Sequence, residues 1–442
     1  MDTNISKKFN FFELIIFALP SIIMMMFMSL YTIVDGFFVS KFVGTDALSA
    51  INIAYPVVNL VIGIGVMFSA GGSAIVSLKM GEGRYEEAKS DFTLIIITGI
   101  IISVVISVLS VYNSEKLVII LGARGNLVGL ASDYLKILMF FAPVSCLQLL
   151  FQSFFVSAGK PSLGLVLTIF GGIFNMIFDY ILIVPLEMGI KGAGFATALS
   201  YFIPAIGGLV FFFFNKKGLC FKKPKFRGDV IFKSTTNGSS EMVTNLSGSV
   251  TTFLFNIYMM KIAGADGVAA ITGGLYVQFL MTALFLGFSI GVAPVISYNY
   301  GAKDFSFLKS TIKKCIVFTI VMSVVIFLIG YLFSEQISLI FFERNTNVYD
   351  ISVSGLKLFS IAFIFVGFNI FASALFTALG NGVVSATISF LRTLLCTSLG
   401  IIILSTLFGI NGIWLSMPVA EIVTICFSVF FLRLLKTKYH IF

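Results

Sequence analysis

Histidine is almost missing from this chain: among 442 residues there is one, His440, in the tail. Imidazole catalysis and histidine-ligated metal centres are therefore excluded from its body. The five cysteines, Cys146, Cys220, Cys315, Cys396 and Cys426, are scattered without pairing or metal-ligand spacing, and read as reduced packing residues. Charge is scarce too, at 11% of residues against about 25% in a soluble domain. The segment "SAGKPS" (Ser157 to Ser162) holds Gly-Lys, but no glycine precedes it at P-loop spacing. Pro161 also stands where that loop needs Ser or Thr, so no use of ATP is encoded. The Gly-x-Gly-Asp signature of intramembrane aspartyl proteases is absent, and no Ser/His or Cys/His constellation can be built. These gaps argue against an enzyme.

What fills the chain is apolar: 58% hydrophobic residues, 51 of them Phe, and a mean hydropathy of +1.06. Runs such as "TLIIITGIIISVVISVLSVY" (Thr93 to Tyr112) match the thickness of a hydrocarbon core. Twelve such spans are expected, near 11–40, 49–78, 92–112, 129–156, 164–184, 193–214, 234–260, 268–299, 315–333, 351–379, 385–407 and 412–432. The run after Lys7 and Lys8 is too long for a cleaved leader and reads as the first span. The net charge of +9 is spread over short loops, which suits topology better than nucleic-acid binding. Alternate loops collect the lysines and arginines, with Lys79, Arg84, Lys160, Lys303 and the tail on one side. The positive-inside rule then places both termini in the cytoplasm of a bacterial cell, with the protein multi-pass in the cytoplasmic (inner) membrane.

The chain repeats itself. "KFVGTDALSAI" (Lys41 to Ile51) lies over "KIAGADGVAAI" (Lys261 to Ile271), and the same shift puts "GIKG" (Gly189 to Gly192) over "GING" (Gly409 to Gly412). The basic stretch "NKKGLCFKKPKFRGDVIFK" (Asn215 to Lys233) falls between the copies. The expected organisation is a six-helix lobe (1–214), a cytoplasmic linker (215–233) and a second six-helix lobe (234–442). Six spans per copy is an even number, so both copies enter from the same side. That makes a parallel repeat, the architecture of transporters with a central site between lobes.

Ionisable residues within spans mark function or a buried network. Asn175 and Asp179 share one face of span five, four residues apart. Asp35 near the end of span one, Thr197 at the start of span six and Tyr134 at the start of span four fall at the same depth. Desolvation favours the neutral form of a carboxylate, so this layer can exchange protons. Its oxygens also suit a hard cation, Na⁺ among monovalent ions. The competing reading is a structural hydrogen-bond network between helices. Glu241 in span seven, Arg392 in span eleven and Glu421 in span twelve form a second polar set, a buried ion pair or part of a substrate pocket. Pro20 interrupts the hydrogen bonds of span one and is either a hinge or a static kink.

The motifs "YTIVDGFFVSKFVGTDALSA", "SAGKPS", "NMIFDY" and "GIKGAGFATALS" resemble the multidrug and toxic compound extrusion (MATE) family, in its DinF-like branch, over essentially the whole chain. The resemblance implies an all-α, V-shaped, twelve-helix antiporter that exports small amphipathic or cationic compounds in exchange for Na⁺ or H⁺, without ATP or another cofactor. It implies a cation site at Asp35, Asn175, Asp179 and Thr197, a pocket residue at Tyr134, and helix bending at Pro20. Glu241 matches a span-seven glutamate of another branch, but span ten here lacks the carboxylate that accompanies it. A lipid-linked oligosaccharide flippase of the same superfamily is the alternative. Its cationic cavity would have Arg392 alone to serve it.

Overall fold

The computed structural model describes residues 4–216 and 218–439, without the side chains of Asn4, Phe37, Ser40, Thr45 and Leu435; Lys217 of the expected linker and His440 lie outside it. Among the described residues every regular element is helical. The amino-terminal half contains α1 (Phe11–Phe42), α2 (Thr45–Gly81), α3 (Tyr85–Tyr112), α4 (Ser114–Ile120), α5 (Asn126–Phe140), α6 (Ala142–Ser157), α7 (Pro161–Ile183), α8 (Gly189–Ser200) and α9 (Phe202–Phe214). The carboxyl-terminal half contains α10 (Gly228–Gly301), α11 (Phe305–Leu332), α12 (Ser334–Phe341), α13 (Asn347–Ser360), α14 (Phe363–Ala378), α15 (Gly382–Phe390) and α16 (Thr397–Tyr439). A six-residue π-helical turn, Leu391–Cys396, joins α15 to α16.

The twelve expected crossings are recovered once breaks and bends are taken into account. α10 has 74 residues and breaks at Gly264; α16 breaks at Gly409. Each therefore contains a junction between two spans. Conversely, α5 and α6 bend by 55°, and α13 and α14 by 51°, to make one crossing each. α1 starts with a reciprocal cap: Asn10 accepts from the Glu13 amide at 2.8 Å, and the Glu13 carboxylate accepts from the Asn10 amide at 2.9 Å. α1 then runs unbroken past Pro20.

The repeat is visible in the backbone. Gly44 and Gly264 both have positive φ (110° and 63°), as do Gly189 and Gly409 (56° each), and both pairs are separated by 220 residues. The helix limits follow the same shift: Tyr85–Tyr112 becomes Phe305–Leu332. At the break, Gly264 has ψ −152° and Gly409 has ψ −131°, a region in which a Cβ is strained. The matches between the two copies are thus explained by backbone conformations that only glycine adopts cheaply.

The halves meet through α1, α2 and α10, again symmetrically. A Cβ on Gly81 would lie 2.0 Å from the Tyr298 carbonyl oxygen, and one on Gly301 would lie 2.1 Å from that of Leu78. Further along, Gly71 packs on Ser234 and Gly238, and Gly291 packs on Ala18. Asn59 donates to Ser249 at 2.8 Å about midway along α2. Toward the other end of α2, an added Cβ on Gly44 or Gly264 would meet nothing within 4 Å.

The polar connection is shorter than expected, because α10 already begins at Gly228. It is also docked. Lys222 and Lys225 donate backbone N–H groups to Thr93 and Ser90 at 3.0 and 2.9 Å, and Phe221 stacks on Phe92 at 5.1 Å. Arg227 meets Glu87 at 2.5 Å and Asp91 at 3.7 Å; Lys79 also pairs with Asp91.

The breaks give a prediction. Gly264→Ala and Gly409→Ala should each destabilise the fold by about 1–3 kcal/mol, measured by thermal unfolding in detergent. Gly248→Ala, a helical position with nothing within 4 Å, should show no loss.

Candidate functional site

α7 explains how a carboxylate comes to sit in an apolar helix. Its buried positions are Pro161, Gly164, Thr168, Gly171, Gly172, Asn175, Asp179 and Ile183, one stripe at helical spacing. The remaining surface, including Phe170, Phe174, Ile177 and Tyr180, is exposed and suits lipid contact. Two small residues on the stripe set the depth. A Cβ on Gly172 would fall 2.4 Å from Phe27 and 3.1 Å from Tyr31 of α1, and one on Gly171 would fall 3.2 Å from the Ser200 carbonyl oxygen of α8. α1 and α7 run in the same direction from this contact, so Asp35, one turn past Tyr31, reaches the level of Asn175 and Asp179.

Asn175 and Asp179 are fully buried, and Asp35 is half-buried. The two carboxylates are close enough to influence each other electrostatically, and both influence Tyr134, buried on α5. Tyr31 and Tyr201 lie within reach of the Asp35 charge. Asp35 Oδ1, Asn175 Oδ1 and both carboxylate oxygens of Asp179 have no hydrogen-bond donor among the described residues. Leaving one buried acceptor unpaired costs about 1–3 kcal/mol, more when it is charged. A cluster of such acceptors is a demand for a proton or a cation. The donor set is all oxygen, which fits a hard ion. Thr197 is half-buried on α8, which packs on α7 and α1. Its hydroxyl donates to the Ala193 carbonyl at 3.0 Å, leaving its lone pairs available.

The second set is built differently. Glu421 is fully buried: Asn369 donates to Oε2 at 2.7 Å, and the Arg392 guanidinium lies 3.8 Å from Oε1, an ion pair too long for a hydrogen bond, so Oε1 has no hydrogen-bond donor among the described residues. Asn369 is itself held by Ser428, which donates to its Oδ1 at 2.9 Å. Arg392 stands in the π-helical turn, where Thr397 donates to its carbonyl oxygen at 2.7 Å. Glu241, half-buried on α10, feels the charge of Arg392. Both acids expected to compete for Arg392 are therefore near it, with Glu421 in contact. Asn369 and Ser428 were not legible beforehand, since a lone amide and a serine are unremarkable in apolar helices. Tyr31 and Tyr201 were equally silent.

The ion pair gives a prediction. Arg392→Met would leave Glu421 charged and without a counter-ion, a change worth roughly 3 kcal/mol. The double variant R392M/E421Q should recover most of the loss in thermal unfolding.

Comparison with known proteins places this geometry. A MatE family model matches residues 20–181 and 242–402, one segment in each half. The multidrug export protein MepA of Staphylococcus saprophyticus is 24% identical over 93% of this chain and 90% of its own. MepA of Staphylococcus aureus strain NCTC 8325 is 25% identical over 92% of this chain and 89% of its own. The solved structure of a multidrug resistance MATE family transporter in an outward-facing conformation superposes with a TM-score of 0.91 at 21% identity, covering 98% of this chain and 97% of that one. With a family model spanning both repeats and the fold shared end to end, the chain belongs to the MATE family of multi-pass membrane transporters.

Proposed function

We propose that this protein exports small amphipathic or cationic compounds from a bacterial cell in exchange for Na⁺ or H⁺, by alternating access. It sits in the cytoplasmic membrane with both termini in the cytoplasm, as the lysine and arginine distribution favours. The observation that carries the reading is the group of donorless oxygens on Asp35, Asn175 and Asp179. A cation or proton arriving there satisfies acceptors that the protein leaves bare, and so stabilises one packing of α1 against α7. Coupling requires that this ion and the exported compound favour different states. Thr197 completes the oxygen set, and Tyr134 covers it.

Multidrug export by MepA, a relative along most of the chain, supports the substrate class. The exposed rings of Tyr55 and Tyr276, one from each half, suit flat, apolar cations. A flippase would need free positive charge for a pyrophosphate, and Arg392 is already engaged by Glu421.

Purified protein in proteoliposomes, under separately imposed Na⁺ and pH gradients, tests the scheme. Asp179→Asn should insert normally and lose gradient-driven export by at least about tenfold, within the 5–150-fold range of typical coupling energies. Wild-type export by that variant would overturn the proposal.

A further inference from the structure

A cavity of about 310 Å³ opens between α11, α14 and α16. Ile316, Phe368, Val429 and Leu432 form its wall, and Arg433 and Lys436 also line it. It lies toward the face that carries both termini, where α16 ends. The surface around it belongs to the lipid-facing side: Val317, Ile320, Phe430 and Leu434 are all exposed. Among the described residues, the ion pairs of the carboxyl-terminal half are Asp304 with Lys8 and Glu421 with Arg392, and neither lining cation takes part. Lys309 and Lys313 on the first turns of α11 are exposed and extend the positive region.

The internal repeat shows what the same groove holds in the other half. Shifting by 220 residues brings Leu432 onto Phe212 and Lys436 onto Lys216. There the helix ends at Phe214, and the chain turns back over the groove. The Phe221 amide donates to the Phe212 carbonyl at 3.1 Å, its ring lies 6.2 Å from that of Phe212, and Leu219 is buried. The amino-terminal groove is thus filled by the chain's own apolar side chains. In the carboxyl-terminal half α16 stays helical through Tyr439 and no described segment folds back. The groove is left apolar inside and basic at one end.

We propose that this groove binds an acidic phospholipid, with the phosphate held by Arg433 and Lys436 and an acyl chain laid where Phe221 lies in the other half. Basic pockets between transmembrane helices on the cytoplasmic side hold anionic headgroups through charge and hydrogen bonding. The apolar wall supplies what free phosphate cannot use.

The test uses the full-length protein in mild detergent, offered equal amounts of palmitoyl-oleoyl phosphatidylglycerol and phosphatidylcholine, with bound lipid counted by native mass spectrometry. Phosphatidylglycerol should be retained preferentially, and R433Q/K436Q should retain it less by on the order of tenfold. Val429→Phe, which fills the groove without changing charge, should lower retention as well, and serves alone if the double variant does not fold. Lys438→Gln, whose ammonium lies over the Tyr439 ring, should retain the lipid as the unaltered chain does. Equal retention of the two lipids, undiminished retention in both groove variants, or displacement of the lipid by millimolar inorganic phosphate would each overturn the proposal.

Discussion

A carboxylate in hydrocarbon must be neutralised, and the two halves of this protein meet that demand in opposite ways. Glu421 is supplied with its own cation and amide, Arg392 and Asn369. Asp35 and Asp179 lie near each other, with no ion pair to a lysine or arginine among the described residues and several oxygens without a hydrogen-bond donor. The first arrangement carries its own counter-ion, although Glu421 Oε1 also lacks a hydrogen-bond donor. On a scaffold whose helix limits repeat so closely, this chemical asymmetry sets the two halves apart within one helical frame.

The frame depends on close backbone approach. Side chains at Gly81 and Gly301 would collide with carbonyl oxygens of the facing half. Contacts of that kind are bistable: helices at such distances fit in one register or separate. The inter-half contact is joined to the polar cluster on α1 and α7 through α1, which packs on α7 and on α10.

Much of this was legible in the sequence. Span number and repeat could be read because lipid length and glycine-only conformations constrain residue identity directly, as at Gly44 and Gly264. Asp35, Asn175 and Asp179 stood out because their side chains are expensive in hydrocarbon, and the depth argument brought the two carboxylates together. Glu421 and Arg392 were visible for the same reason. Their partners were not: Asn369, Ser428 and the ring of Tyr31 gain meaning only from which helix lies opposite. The π-helical turn at Leu391–Cys396 follows no local pattern in the sequence. The connection between halves read correctly as polar, but its docking rests on Phe221, one apolar residue among lysines.

That docked connection carries a consequence of its own. Arg227 stands directly before α10 and is tied to Glu87 and Asp91 of α3, so an ion cluster joins the first helix of one half to the third of the other. Arg227 and Glu87 are each about one-third exposed, at 30% and 35%. Exposed pairs weaken as dissolved ions screen them, over about 8 Å at physiological strength. Asp91 and Lys79 beneath them are buried and far less screened. The tether is thus layered, with an outer part that softens in concentrated solution and an inner part that holds. Ionic strength on that side of the membrane becomes a setting of how stiffly the two halves are tied together.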